Sequence, residues 1–330
     1  MTTAIEIERL RKSFGDKTVL DGIDITVDAG TVFALLGPNG AGKTTVVHIC
    51  STLLRQDAGT VRVAGYDVVT QSDSVRGAIG LTGQFAAVDS LLTGRENLQL
   101  MADLRHLPRK AGRARVDELL ERFDLSDAAN KTLANYSGGM RRRLDLAMTL
   151  VGGGTGESPT GTSIIFLDEP TTGLDPRSRA SMWEIVRNLV NDGMTIFLTT
   201  QYLEEADQLA DQIAVLNNGR IAAQGSPADL KKLVPGGHVR LGFSDSDARD
   251  AARRQLTGLV SRQEDDSSEG DASLSLTIDS DGSFGSVKAI IDRLDATARI
   301  EDVSIGTPNL DDVFFALTDS TSTATQEVSQ

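Results

Sequence analysis

Short continuous apolar runs recur along this chain, separated by stretches in which apolar residues return every third or fourth position. Thr31-Val32-Phe33-Ala34-Leu35-Leu36, Ile164-Ile165-Phe166-Leu167 and Thr195-Ile196-Phe197-Leu198-Thr199-Thr200 have the length and content of buried strands. Residues 4–10 and 23–27 alternate or cluster apolar residues as strands do, with Asp28-Ala29-Gly30 as a turn. Further strands are predicted at 60–66, 79–84, 213–216 and 220–223, the last two joined by the hairpin turn Asn217-Asn218-Gly219. The intervening pattern is helical. Thr44 to Leu54 contains neither Gly nor Pro. Val116, Leu119, Leu120 and Phe123 return at i, i+3, i+4 and i+7. Met182, Ile185, Val186, Leu189 and Val190 form a second stripe, which Asp175 caps and Pro176 opens. A shorter helix is predicted at 203–210. Strands interleaved with helices predict an α/β fold, a sheet sandwiched by helices.

The pattern also divides the chain. From about 86 to 151 it is helical without strands, a subdomain set into the sheet. Gly152 to Ser163 is rich in Gly, Ser and Thr and reads as an inserted surface loop. Pro235-Gly236-Gly237 marks a boundary, giving domains at 1–235 and 236–318. In the second, strands at 238–243, near 259–264, at 273–278 and at 299–305 alternate with helices at 245–258 and 284–296, and a helix follows at 309–318. This βαββαβ order predicts a small α+β, ferredoxin-like domain with an extra helix. Residues 319–330 are Ser/Thr-rich, a tail expected to be disordered.

Composition narrows the classes. Of 330 residues, 39% are hydrophobic and 24% charged, ordinary for a globular chain. The formal net charge of −14 repels phosphate, which argues against duplex binding over a broad face. Arg141-Arg142-Arg143 is then expected to be a solvated helix face. The one cysteine, Cys50, rules out an internal disulfide and reads as a small buried apolar residue. His48, His106 and His238 are scattered and do not predict a metal site. The start of the chain lacks a basic head before an apolar core, so no signal peptide is expected. No apolar stretch approaches the roughly 20 residues that span a bilayer.

Chemistry concentrates at Gly37-Pro38-Asn39-Gly40-Ala41-Gly42-Lys43-Thr44-Thr45. The spacing G-x-x-x-x-G-K-[ST], between a strand and a helix, aims backbone N–H groups and a helix N-terminus at one point, which suits a polyphosphate. There Lys43 reaches the β- and γ-phosphates and the Thr44 hydroxyl ligates Mg²⁺. Asp168-Glu169 leaves the end of a buried strand, the edge where such sheets bind ligands. Asp168 is placed to hold Mg²⁺, and Glu169 to orient or deprotonate an attacking water.

Other segments complete a set. Tyr136-Ser137-Gly138-Gly139-Met140-Arg141 resembles the signature sequence of ATP-binding cassette (ABC) proteins. Gln84 resembles their Q-loop glutamine, and Thr172-Gly173-Leu174-Asp175 their D-loop. Gln201-Tyr202-Leu203-Glu204-Glu205-Ala206-Asp207 resembles the switch segment, and Phe14 the aromatic that stacks on adenine. The elements stand in the family's order over residues 4 to about 230. The resemblance implies a P-loop NTPase cassette, a RecA-like core sheet plus helical subdomain, with ATP and Mg²⁺. It implies catalytic roles for Glu169, Gln201 and Lys43. It places nucleotide at Phe14, the loop Gly37–Thr45, Gln84, Ser137, Gly138, Gly139 and Asp175, and metal at Thr44, Gln84 and Asp168.

Leu81–Asp89, Gln201–Asp207 and Leu310-Asp311-Asp312-Val313-Phe314-Phe315-Ala316-Leu317-Thr318 are similar to the daunorubicin/doxorubicin-resistance ATPases of bacterial drug exporters. That likeness implies a homodimer of cassettes around two ATP, Ser137 and Gly139 of one chain completing the site at Lys43 of the other. It implies a separate polytopic membrane permease, which the segment from Gln84 to Asn97 would contact, a peripheral place on the cytoplasmic side of the membrane, and no nucleic-acid partner. One departure matters: the wider superfamily has histidine where Gln201 stands, and glutamine offers only a neutral amide. Tyr136 and Met140 also replace the commonest signature residues, and neither must touch phosphate. Two alternatives stand. A soluble ABC ATPase of ribosome or DNA usually carries paired cassettes, long coiled coils or zinc motifs, none of which this sequence has. A regulatory module without turnover would not need Glu169.

Overall fold

The computed structural model describes residues 2–83, 88–152, 163–233, 237–256, 274–280, 284–294, 298–306, 310 and 313–314. The chain opens with two long strands, β1 (Thr3–Phe14) and β2 (Lys17–Asp28). Both outrun their apolar cores, because an antiparallel ladder open to water on one face continues through polar residues as long as its backbone bonds are met. After β3 (Val32–Leu36) comes the helix α1 (Lys43–Cys50). It stops short of the predicted Leu54 because Thr52 turns left-handed at φ 67°. Then follow β4 (Ala58–Val63), β5 (Tyr66–Asp67), α2 (Ser72–Ala78) and β6 (Ile79–Thr82). β1, β2, β4 and β5 form an antiparallel sheet in the order β2-β1-β4-β5.

The helical stretch supplies α3 (Gly94–Leu104), α4 (Arg109–Arg122) and α5 (Gly138–Thr149). Thr93 and Glu96 cap α3 reciprocally, each side chain bonding the other's backbone N–H. The sheet resumes with β7 (Ile164–Asp168), α6 (Pro176–Asn191), β8 (Thr195–Thr200), α7 (Leu203–Leu209), β9 (Gln212–Asn217), β10 (Arg220–Gly225) and α8 (Pro227–Lys231). Of the inserted loop, residues 153–162 lie outside the described residues.

The second sheet has the order β10-β9-β3-β8-β7-β6, parallel except for the β9–β10 hairpin. Its centre is pinned by three phenylalanines in register. Phe33 faces Phe197, which faces Phe166, with ring centroids 5.3 and 5.5 Å apart. All three are fully buried, and such aromatic pairs add to what area burial alone supplies.

The chain divides into two compact units, Met1–Pro227 and Ala228–Gln330. In the second, β11 (Gly237–Phe243) lies between β12 (Ser275–Ser280) and β13 (Ile300–Gly306), antiparallel to both. α9 (Ser246–Gln255) and α10 (Phe284–Ile291) lie in the same unit. Val239, Leu241, Phe243, Leu276 and Ile278 build a core with Ala248, Ala252, Val287 and Ile290. The strand expected near 259–264, the tail 319–330 and most of the helix expected at 309–318 lie outside the described residues.

Candidate functional site

Strand order brings the chemistry together. β3, β8, β7 and β6 are neighbours and parallel, so their carboxyl ends share one edge. Gly37 follows β3, Gln201 follows β8, Glu169 follows Asp168 at the end of β7, and Gly83 follows β6. The ladder runs one step past the strands. The Gly37 N–H donates to the Thr200 carbonyl at 3.2 Å, and the Glu169 N–H to the Thr199 carbonyl at 3.2 Å. β8 thus fixes the glycine loop on one side and the acidic pair on the other.

The loop needs its glycines for stated reasons. Gly40 and Gly42 hold φ of 80° and 110°, where a side chain is strained. A Cβ at Gly37 would stand 2.4 Å from the Leu216 carbonyl oxygen, and one at Gly42 would stand 2.7 Å from Leu20 Cδ2. α1 begins on the next residue, Lys43. The buried Lys43 ammonium donates to the Gly37 carbonyl at 2.8 Å and the Pro38 carbonyl at 3.1 Å, and pairs with Glu169 Oε1 at 3.3 Å. A cavity of about 400 Å³ opens here, walled by Gly40, Lys43, Thr44, Thr45, Glu169 and Gln201, with Val19 of β2 on one flank.

Asp168 is buried, and its Oδ1 accepts from the Thr199 hydroxyl at 2.6 Å. The Glu169 backbone is left-handed at φ 48°, a conformation a non-glycine residue holds only when its surroundings insist. Here they do: its N–H is also met by the Thr199 hydroxyl at 3.1 Å, and the Thr172 hydroxyl donates to its Oε2 at 3.3 Å. The result is a carboxylate on the cavity wall that is held at both backbone and side chain.

Behind the switch segment the buried Glu205 accepts from the Trp183 indole at 3.2 Å, tying α7 to α6. Burial pushes its carboxyl above the usual range, offset in part by hydrogen bonds and the Arg179 charge. Arg179 also lies over the Tyr202 ring at 5.0 Å.

The signature residues stand apart from this cavity. Ser137 caps α5, accepting from the Met140 N–H at 3.2 Å. Asp175 caps α6, accepting from Ser178 N–H at 3.0 Å and Ser178 Oγ at 2.6 Å, which holds its carboxyl below the usual range. The two helix starts meet. A Cβ on Gly139 would lie 2.6 Å from Ser178 Oγ, and one on Gly138 would lie 3.7 Å from Leu174. None of Ser137, Gly138, Gly139 and Asp175 lines the cavity. Nor does Phe14, half exposed at the end of β1, with Lys12 Nζ 5.5 Å from its ring centre. Gln84 lies outside the described residues.

The arginine run departs from expectation at its middle residue, while Arg141 is exposed as expected. Arg142 is buried, not solvated. It donates to the carbonyls of Gly83 at 2.6 Å, Asp168 at 3.0 Å and Pro170 at 3.0 Å. Arg141 meets the Leu133 carbonyl at 3.1 Å, and Arg143 the Phe123 carbonyl at 3.1 Å. Each arginine donates to backbone carbonyls of other segments.

A family profile described as ABC transporter matches residues 20–172. The chain is 48% identical to the daunorubicin resistance ATP-binding protein DrrA3 of Streptomyces coeruleorubidus, over 96% of each chain. It is 44% identical to the daunorubicin/doxorubicin resistance ATP-binding protein DrrA of Streptomyces peucetius, over 96% of this chain and 93% of that one. Among solved structures it is similar to cbiO1 from Clostridium perfringens, part of the ABC transporter complex cbiONQ. That likeness has a TM-score of 0.63 and 25% identity, over 70% of this chain and 91% of the other.

Proposed function

This chain belongs to the ABC transporter ATP-binding family and is an ATP-hydrolysing subunit of it, and from that premise we propose that it powers export of a drug-like or lipophilic compound. It does so as one of two identical cassettes closing around two ATP molecules, on the cytoplasmic side of the membrane, beneath a separate polytopic subunit. Among the described residues no helix is long and apolar enough to cross a membrane, so the path for the compound belongs to another chain. The observation that carries the reading is the wall shared by Lys43, Thr44, Glu169 and Gln201, at strand ends that β8 holds in register.

In this reading the glycine loop's N–H groups and Lys43 hold the β- and γ-phosphates, Lys43 exchanging its carbonyl contacts for phosphate oxygens. Glu169, fixed by its left-handed peptide and by Thr172, takes the proton from water as the water oxygen bonds the γ-phosphorus and the bond to ADP breaks. Gln201 donates its amide to the γ-phosphate. The Thr44 hydroxyl and the Asp168 carboxylate are hard oxygen donors of the kind Mg²⁺ takes, and Gln84 is the further ligand that the resemblance implies. When bound there, Mg²⁺ neutralises charge on the β- and γ-phosphates. The signature residues, off the cavity of their own chain, serve the partner's: Ser137 and Gly139 donate to its γ-phosphate, with Gly138 and Asp175 beside them, and Phe14 stacks on adenine.

The test is capture. A Glu169→Gln chain with Mg·ATP, pulled from native lysate, is expected to keep ATP and bring down a polytopic membrane protein. Its hydrolysis falls by about 10²- to 10⁴-fold, the usual contribution of a general base. Recovery of ribosomes or DNA-repair proteins without a membrane protein overturns the exporter reading. Unchanged hydrolysis removes Glu169 as base.

A further inference from the structure

We propose that Arg142 is the positioning residue for Glu169, and that it links the catalytic loop to the end of β6, so that the two move as one. The inference rests on the reading of Glu169 as base. The guanidinium reaches three places far apart in sequence. Its Nη2 donates to the Asp168 carbonyl at 3.0 Å and its Nε to the Pro170 carbonyl at 3.0 Å, on either side of Glu169. Its Nη1 donates to the Gly83 carbonyl at 2.6 Å and lies 3.5 Å from Asp145 Oδ2, one turn along α5.

Three features make this more than packing. First, the two carbonyls lie before and after a residue held at φ 48°, a conformation that persists only where the surrounding structure over-determines it. Thr199 meets the Glu169 N–H and the Thr172 N–H meets the Glu169 carbonyl, while Arg142 holds the Asp168 carbonyl of the preceding peptide and the Pro170 carbonyl one residue further on. Second, only a planar fork of five donors can serve three carbonyls and a carboxylate from one stem, so lysine cannot substitute. Third, the charge lies among acids. Asp145, Asp168 and Glu205 surround it, and their attraction offsets the burial that pulls its proton affinity down. Arg142 therefore sits on the helical subdomain while holding the ends of two sheet strands. A shift of Gly83, next in sequence to Gln84, is passed to the peptide that aims Glu169. The proposal assigns Arg142 no contact with nucleotide.

The experiment compares Arg142→Lys, Glu169→Gln and the double variant in the full-length chain, measuring nucleotide Kd, kcat and the thermal midpoint. Arg142→Lys is expected to lower kcat by about 10- to 100-fold, the scale of an ångström's misplacement of a reacting group, with nucleotide Kd unchanged. In the Glu169→Gln background the same change is expected to cost nothing further, because Arg142 acts only through Glu169. A wild-type kcat for Arg142→Lys, or an equal loss in both backgrounds, overturns the proposal while leaving Glu169 its role. Normal turnover of Glu169→Gln fells the underlying reading instead. Should Arg142→Lys not fold, hydrogen exchange on the unaltered chain decides. Peptides spanning 82–84 and 169–172 are expected to change protection together as ATP is added, and change in only one of them overturns the link.

Discussion

At the scale of single residues, the site is built from groups that ordinarily would not sit as they do. Gln201 lines the cavity, and in the proposed reading it stands beside the γ-phosphate, where the wider superfamily that the sequence resembles has a titrating imidazole. A neutral amide has no proton to lose near neutrality, so the kcat–pH profile of this chain is expected to lack an inflection near about 6.5, and Gln201→His to introduce one. Gln201→Ala is expected to lower turnover; unchanged ATPase removes the assignment. Glu205 is the second case. Its folded-state affinity for protons is raised by burial, so the stability it contributes is present below the ordinary glutamate range and is lost as pH rises through the raised value. Glu205→Gln keeps the Trp183 contact and has no charge to bury. Chemical denaturation from mildly acid to neutral pH is expected to show a shallower fall in stability for the variant than for the parent. Neither Glu205 nor Arg142 was legible in sequence. An acid in Gln201-Tyr202-Leu203-Glu204-Glu205 and an arginine among three look solvated. Their partners include groups more than twenty residues away along the chain, Trp183 for Glu205 and Gly83, Asp168 and Pro170 for Arg142, which no local pattern carries. Cys50 went the other way: a small residue on an apolar helix reads as buried, and its thiol is pushed up to about 12, which predicts no reaction with thiol reagents in the folded chain.

Elements were more legible than residues, and for a physical reason. Continuous apolar runs predict strands covered on both faces, and β3, β7 and β8 are that. The glycine loop was readable because its whole mechanism is contiguous: strand, turn and helix in one stretch. Boundaries were less so, since β1 and β2 run on through polar residues and α1 stops early at a left-handed threonine. Neighbour relations were hardest, because nothing in the sequence says that β8 lies between β3 and β7. The loop's dependence on its neighbours is testable. Gly42→Ala places a methyl against Leu20 at a φ of 110°, a strain of roughly 1–3 kcal/mol. Titration with ATP is expected to show a weaker Kd, at a smaller loss of global stability than Phe197→Ala, which empties the aromatic row at about 3–5 kcal/mol.

At the scale of the molecule, the two units have separate hydrophobic cores. A chain ended after residue 235 keeps every described site residue. It is expected to bind ATP as tightly as the full chain, measured by titration, and to unfold in a single step where the full chain shows two. A lost nucleotide affinity would mean that the second unit supports the site. If the second unit helps assembly, the shortened chain recovers less of the membrane subunit in the same capture.

The contact between Gly139 and Ser178 has a consequence for how such a chain can vary over generations. The glycine's missing side chain leaves room for a serine of the same chain. The two positions are therefore heritable as a pair. Gly139→Ala alone collides with Ser178 and pries the start of α5 from the start of α6. Gly139→Ala together with Ser178→Gly reopens the space, though it gives up the hydroxyl bond to the Asp175 cap. Lineages that change Gly139 are expected to have changed Ser178 first, and the signature drifts only as fast as the helix behind it permits.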